Sequence, residues 1–117
     1  MKTKKPKYTQ AEADRLFSLL IRQAGKCLAC GSTYHLQCAH IISRTYKAVR
    51  YNPDNAICLC QKHHFYWTYH YIEFEEFIDK WFGKEHRQNL RKLALNYQKP
   101  NYRAIIEELN GQLTLGT

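Results

Sequence analysis

At 117 residues the chain is about the size of one ordinary domain, and 44% apolar content allows a core that at this length often needs a further staple. No run of about 18 apolar residues and no leader pattern occurs, which argues against a membrane span or secretion and for a soluble, cytoplasmic protein. The formal net charge of +8 suits a polyanionic partner, because each neutralised phosphate releases condensed counterions.

Lys2, Lys4, Lys5 and Lys7 head the chain, and residues 1–8 read as a flexible basic arm. Residues 9–117 are expected to form one domain. Thr9 and Glu12 make a capping box ahead of an apolar stripe at Ala13, Leu16, Phe17, Leu20, Ile21 and Ala24. Gly25 stops that helix. A knuckle follows over Cys27–Gly31, and His35 to Ser43 reads as a strand. Arg44 to Asn55 is a polar, basic loop containing Pro53. Ala56 to Leu59 is a second short strand, with a helix expected to begin near Cys60–His63.

Further stripes follow: Phe74, Phe77, Ile78, Trp81 and Phe82 up to Gly83; Leu90, Leu93, Ala94 and Tyr97 before Pro100; then a short one at Tyr102, Ile105, Ile106 and Leu109. These helices, over 71–110, are assigned to the core. Tyr66, Trp67, Tyr69 and Tyr71 crowd the helix after His64. Most are expected to pack against the first helix, leaving one or two to stack on unpaired bases.

The chemistry concentrates between Cys27 and His64. From Arg22 to Lys62 the six basic residues Arg22, Lys26, Arg44, Lys47, Arg50 and Lys62 stand against one acid, Asp54, a stretch of local positive charge. Five cysteines is an odd count, and in a reducing compartment a C-x-x-C pair argues for a metal rather than a disulfide. Cys27 and Cys30 form one pair, with Gly31 supplying the freedom of a tight turn. Cys60 and His63 form a second pair at the same spacing, with 29 residues between the two pairs. Two thiolate–imidazole pairs suit a structural Zn²⁺ better than Mg²⁺ or Ca²⁺. His64 in place of His63 at the zinc stays open from sequence. Cys38 and Cys58 read as small buried hydrophobes.

Metal-assisted phosphodiester hydrolysis needs a base for water, a cation for the leaving oxygen and donors for the phosphate. His40 sits on the first strand just before the basic loop, Asn55 follows fifteen residues later, and His64 nine after that. Each adjoins the zinc ligands. In their order and in the Leu59-Cys60-x-x-His63-His64 ending, these residues resemble the HNH endonucleases of the His-Me finger superfamily. The segments AHIISR and VRYNPDNAICLC are most similar to the phage recombination endonucleases called NinG or Rap. The resemblance spans roughly residues 15–90 and is strongest over 27–64.

The resemblance implies an α+β fold: a zinc-stapled, treble-clef-like ββα-metal core over 27–70, an N-terminal helix and C-terminal helices. It implies a DNA endonuclease in which His40 is the general base and His64 binds a catalytic Mg²⁺ or Mn²⁺. Asn55 pins the loop and orients His40, with a share in metal binding open to it. Arg44, Arg50 and Lys47 are the candidates for contacts to the nucleic acid. A phage or prophage origin, and phage DNA-processing proteins as further partners, are implied with it. Two positions depart from the wider family. Ala39 stands where many members carry an Asp or His ligand, and Thr68 where some place another His or Lys. Asp54, water or a DNA phosphate must then complete the cation's shell. The alternative is a non-catalytic zinc-finger binding or adaptor module, and Ala39 is its best argument.

Overall fold

The computed structural model describes residues 7–115. Most of the expected basic arm, residues 1–6, lies outside them. The elements run α1 (Gln10–Arg22), β1 (Leu36–His40), β2 (Ala56–Cys60), α2 (Gln61–Tyr69), α3 (Tyr71–Phe82), α4 (Lys84–Ala94) and α5 (Tyr102–Leu115), with a 3₁₀ turn at Pro53–Asn55. The expected mixture of helices and a small hairpin is present, and its Cys/His cluster is consistent with a zinc-stapled ββα core.

Helix α1 starts where expected because the Thr9 hydroxyl accepts the Glu12 amide at 3.2 Å. The Glu12 carboxylate turns to Arg15 instead of back to Thr9, so only half of the capping box forms. Past α1 the chain reverses at Gly25, whose φ of 76° is a left-handed conformation that glycine adopts without strain. The knuckle closes by Gly31 N–H to Cys27 O at 2.8 Å, and Leu28 N–H to Cys58 O at 2.9 Å pins it to the outer edge of β2.

Strands β1 and β2 pair antiparallel, with Leu36 opposite Cys60, Cys38 opposite Cys58 and His40 opposite Ala56. β1 is shorter than the strand expected to run to Ser43. Beyond His40 the Ile41 amide goes to the backbone oxygen of Asn55 and the Ile42 amide to its side chain, which turns the chain out of the ladder.

Alternation along the hairpin sorts its side chains between two apolar clusters. Ala39, Ile57 and Leu59 join Phe74 and Ile78 of α3 and Leu90 and Ala94 of α4. Ala56, with half-buried Cys38, joins Ala13, Leu16 and Phe17 of α1 and Ile106 and Leu109 of α5. Each large side chain so buried contributes about 1.5–3 kcal/mol. Arg87 of α4 ties back to α3 by bonding both Asp79 oxygens and Glu75.

Three expectations are corrected here. Helix α5 is fourteen residues long and reaches Leu115 instead of ending near 110, because α1 offers it a packing face. Helix α4 ends at Ala94, leaving Tyr97 exposed. The aromatic residues after His64 do not pack on α1: Trp67 packs on Phe74 and Phe77 of α3, since α2 lies against the hairpin and α3. No helix among the described residues is long and apolar enough to cross a membrane.

Candidate metal centre and active-site cleft

Cysteine 60 ends β2 and begins α2, so one turn of helix later His63 lies beside it. The Leu28–Cys58 hydrogen bond brings the knuckle to the same place. As a result the ligating atoms of Cys27, Cys30, Cys60 and His63 all lie within 4.8 Å of one another. Cys30 Sγ is 3.9 Å from Cys60 Sγ, and Cys60 Sγ is 3.3 Å from His63 Nδ1. A tetrahedral zinc with its usual bond lengths separates such atoms by roughly 3.5–3.8 Å. The donor set therefore fits a metal ion such as zinc.

The electrostatics agree with that fit. Burial opposes ionisation of Cys27, but backbone donation from Cys60, Cys30 and Ala29 outweighs it and lowers the thiol's pKa. The Ser32 amide favours ionised Cys30, yet burial and the neighbouring Cys27 and Cys60 sulfurs push its pKa up. Crowded sulfurs that resist joint ionisation are stabilised by a cation. Of the two histidines that sequence left as alternatives, His63 and not His64 lies within this group.

His64 instead faces a cleft of 690 Å³ whose lining includes Gln37, His40, Arg22, Arg44 and Thr68. His40 Nε2 lies 2.9 Å from the Arg50 carbonyl oxygen. A carbonyl only accepts, so Nε2 carries the hydrogen and Nδ1 keeps the lone pair. Burial depresses the His40 pKa below the ordinary histidine value; the bond to Arg50 O opposes this, and the Arg44 and Arg50 charges add to it. His64 Nδ1 lies 2.7 Å from Gln37 Oε1, so Nδ1 donates and Nε2 keeps the lone pair. Burial and the Arg44 charge depress its pKa as well.

Asn55 is fully buried. Its Oδ1 accepts the Ile42 amide at 2.7 Å, and its Nδ2 donates to Ile42 O and Val49 O at 3.0 and 3.1 Å. Both amide hydrogens are thus committed to the backbone of the loop between the strands. Arg50 is committed too. Its Nε and Nη2 grip the two Asp14 oxygens at 2.9 and 2.7 Å, and its Nη1 bonds Arg44 O at 3.1 Å. Tyr51 OH donates to Asp14 at 2.9 Å. Burial raises the Asp14 pKa, but these Arg50 and Tyr51 bonds and the Arg50 and Arg44 charges outweigh it and hold the carboxyl below its ordinary value.

The predicted residues therefore divide. The structure brings His40, His64 and Arg44 to one cleft, while Asn55 and Arg50 are outside its lining, bonded to the inter-strand loop backbone and to Asp14. Lys47 lines a different surface hollow, beside Asn96 and Lys99. Asp54 is absent from the cleft lining, and its carbonyl accepts from His86 of α4. Among the described residues no second group of three His, Cys, Asp or Glu side chains gathers around His64. Cys38 and Cys58 lie opposite each other on the hairpin, and burial pushes the Cys38 thiol up to about 12.

Two residues escaped sequence reasoning. Gln37, which holds His64, is a polar side chain between the apolar Leu36 and Cys38 of β1. Asp14, which holds Arg50, is an acid inside the apolar stripe of α1. Both were visible as polar interruptions, although their partners were not.

The model of the HNH endonuclease family matches residues 27–75, from the first cysteine of the metal cluster into α3. The match supports the HNH family for this segment, and with it a nuclease-type function on nucleic acid. No curated protein and no solved structure matches the chain.

Proposed function

We propose that this chain is a metal-dependent DNA endonuclease whose general base is His40. The observation that carries the reading is the pair of imidazoles in one basic cleft, each with one nitrogen tied by a hydrogen bond and the other free. Nδ1 of His40 accepts a proton from water, and the depressed pKa keeps that nitrogen unprotonated near neutral pH. Arg44, exposed and without an ion pair among the described residues, holds the scissile phosphate. Asn55 and Arg50 are positioning residues: the first braces the loop, and the second supplies the carbonyl that orients His40.

His64 Nε2 would hold a catalytic Mg²⁺ or Mn²⁺, with water or DNA phosphate filling the positions that Ala39 and Thr68 leave without a ligand. Such a cation supplies charge stabilisation for the departing oxygen. Zinc in the Cys27–Cys30–Cys60–His63 cluster is structural and fixes the start of α2, hence His64. The chain is one nuclease domain over 9–117 in this reading. It acts in phage recombination, DNA processing or packaging in the bacterial cytoplasm, as the NinG- and Rap-like segments suggest.

Ala39 and Thr68 also favour a second reading, a zinc module that binds DNA without cutting it. Nicking of supercoiled plasmid separates the two. Zinc-loaded protein is expected to nick with Mg²⁺ or Mn²⁺ and not without them, and His40→Ala is expected to lose the activity with zinc content retained. Salt-sensitive binding without cleavage by any cation, on duplex, branched or single-stranded DNA, would leave the binding module.

A further inference from the structure

Helix α2 presents three stripes, and two of them are accounted for. His63 and Trp67 face the metal cluster and α3, while His64 and Thr68 line the cleft. The third stripe, Lys62, Phe65 and Tyr69, follows the i, i+3, i+7 spacing of one helix face. It begins about 100° round the helix from His64, on the side away from Trp67. Phe65 and Tyr69 are 67% and 71% exposed, and their ring centroids are 5.1 Å apart. Two adjacent apolar rings left in water next to a catalytic cleft serve no packing purpose in this fold.

The charge around them selects the occupant. Helix α2 contains no acidic residue, Lys62 stands at one end of the stripe, and Arg22 and Arg44 lie in the adjoining cleft. A polyanion lying in the cleft would cross this stripe as it left. Within a duplex the base faces are already stacked on one another, so only unpaired bases offer a face to Phe65 and Tyr69. We infer that Phe65 and Tyr69 form a stacking platform for unpaired bases, so that the cleft takes DNA carrying a single-stranded segment. The inference rests on the nuclease reading above and names the substrate class of that site.

The test uses the full zinc-loaded chain without added Mg²⁺ or Mn²⁺, so that nothing is cut. Fluorescence anisotropy measures its affinity for a labelled oligo-dT, for the same backbone carrying abasic sites, and for a blunt duplex. Phe65→Ala and Tyr69→Ala are each expected to weaken oligo-dT binding by about tenfold. Duplex binding should change by less than about twofold, and Tyr69→Phe should bind like the unaltered protein, because stacking needs the ring and not the hydroxyl. The abasic strand should bind the unaltered protein as poorly as oligo-dT binds the alanine variants. Both side chains are exposed, so the variants should keep zinc and helix content. Equal losses on oligo-dT and duplex, or no loss on oligo-dT, would overturn the platform and leave the nuclease reading standing. Failure of the unaltered protein to bind any of the three DNAs would overturn both.

Discussion

On one side of the hairpin, three sulfurs and an imidazole nitrogen converge within 4.8 Å, and the same short turns that build the fold build the site. On the other side, His40 and His64 are each held by one hydrogen bond to a neutral oxygen, and among the described residues lining their cleft the one carboxylate is Asp14, which Arg50 already occupies. The first site is a preformed group of donors that fits a metal ion such as zinc. The second is a cleft with positive charge and free imidazole nitrogens, which in the proposed reading an anionic substrate fills. Strong donors packed together fix structure, whereas sparse donors held by braces leave room for a ligand to complete the site.

The largest effect should come from breaking the cage. Structural zinc binds such clusters with about 10–16 kcal/mol, comparable with or above the stability of a small domain. Chelation, or Cys60→Ser, is expected to abolish the cooperative thermal transition followed by circular dichroism. A preserved transition in metal-free protein would show that the two apolar clusters suffice alone.

Next in size is the proposed base. His40→Ala should lower the cleavage rate by about 10²- to 10⁴-fold while the melting curve stays cooperative. A smaller change is expected at Gln37. Gln37→Leu frees the His64 ring and should raise the Mn²⁺ concentration for half-maximal cleavage by about 10- to 100-fold, with the saturated rate less affected. An unchanged Mn²⁺ requirement would remove Gln37 from the site.

The smallest effects concern protons. Because the His40 pKa is depressed, the neutral base is already present at pH 6.5, and activity is lost only as the pH falls through its lower folded value. The acid limb of kcat/KM should therefore lie below pH 6.5, and a limb above it would contradict the assigned environment. Asp14 behaves likewise for stability. Its depressed pKa makes the Arg50 pair stabilising above about pH 4, with the contribution lost as the pH falls through the folded pKa. Asp14→Asn should cost on the order of 1 kcal/mol near neutral pH, since the pair is partly exposed. The difference in melting temperature between the two proteins should shrink in acid.

The metal cage was the most legible part of the molecule, because Cys-x-x-Cys and Cys-x-x-His spacings carry their geometry within a few residues. The second strand and the starts of α1 and α2 were legible for the same local reason, whereas the first strand was read three residues too long at its end because Asn55 turns the chain out of the ladder. Helix α5 was read too short because its last turn owes its place to α1, ninety residues away in the chain. Arg50 looked like a free phosphate ligand in sequence. Only the tertiary approach of α1 shows that Asp14 takes the Nε and Nη2 donors of its guanidinium. Gln37 was hidden likewise, since its partner lies across the hairpin on α2.

The most direct test compares His40→Ala with His64→Ala over a wide range of Mn²⁺, following nicked plasmid against time. A base and a cation ligand fail differently. High Mn²⁺ should restore much of the His64→Ala activity, by driving the cation onto water and phosphate oxygens, and none of the His40→Ala activity. Recovery of both variants alike, or full activity of His40→Ala at any concentration, would contradict the assignment of His40 as the base.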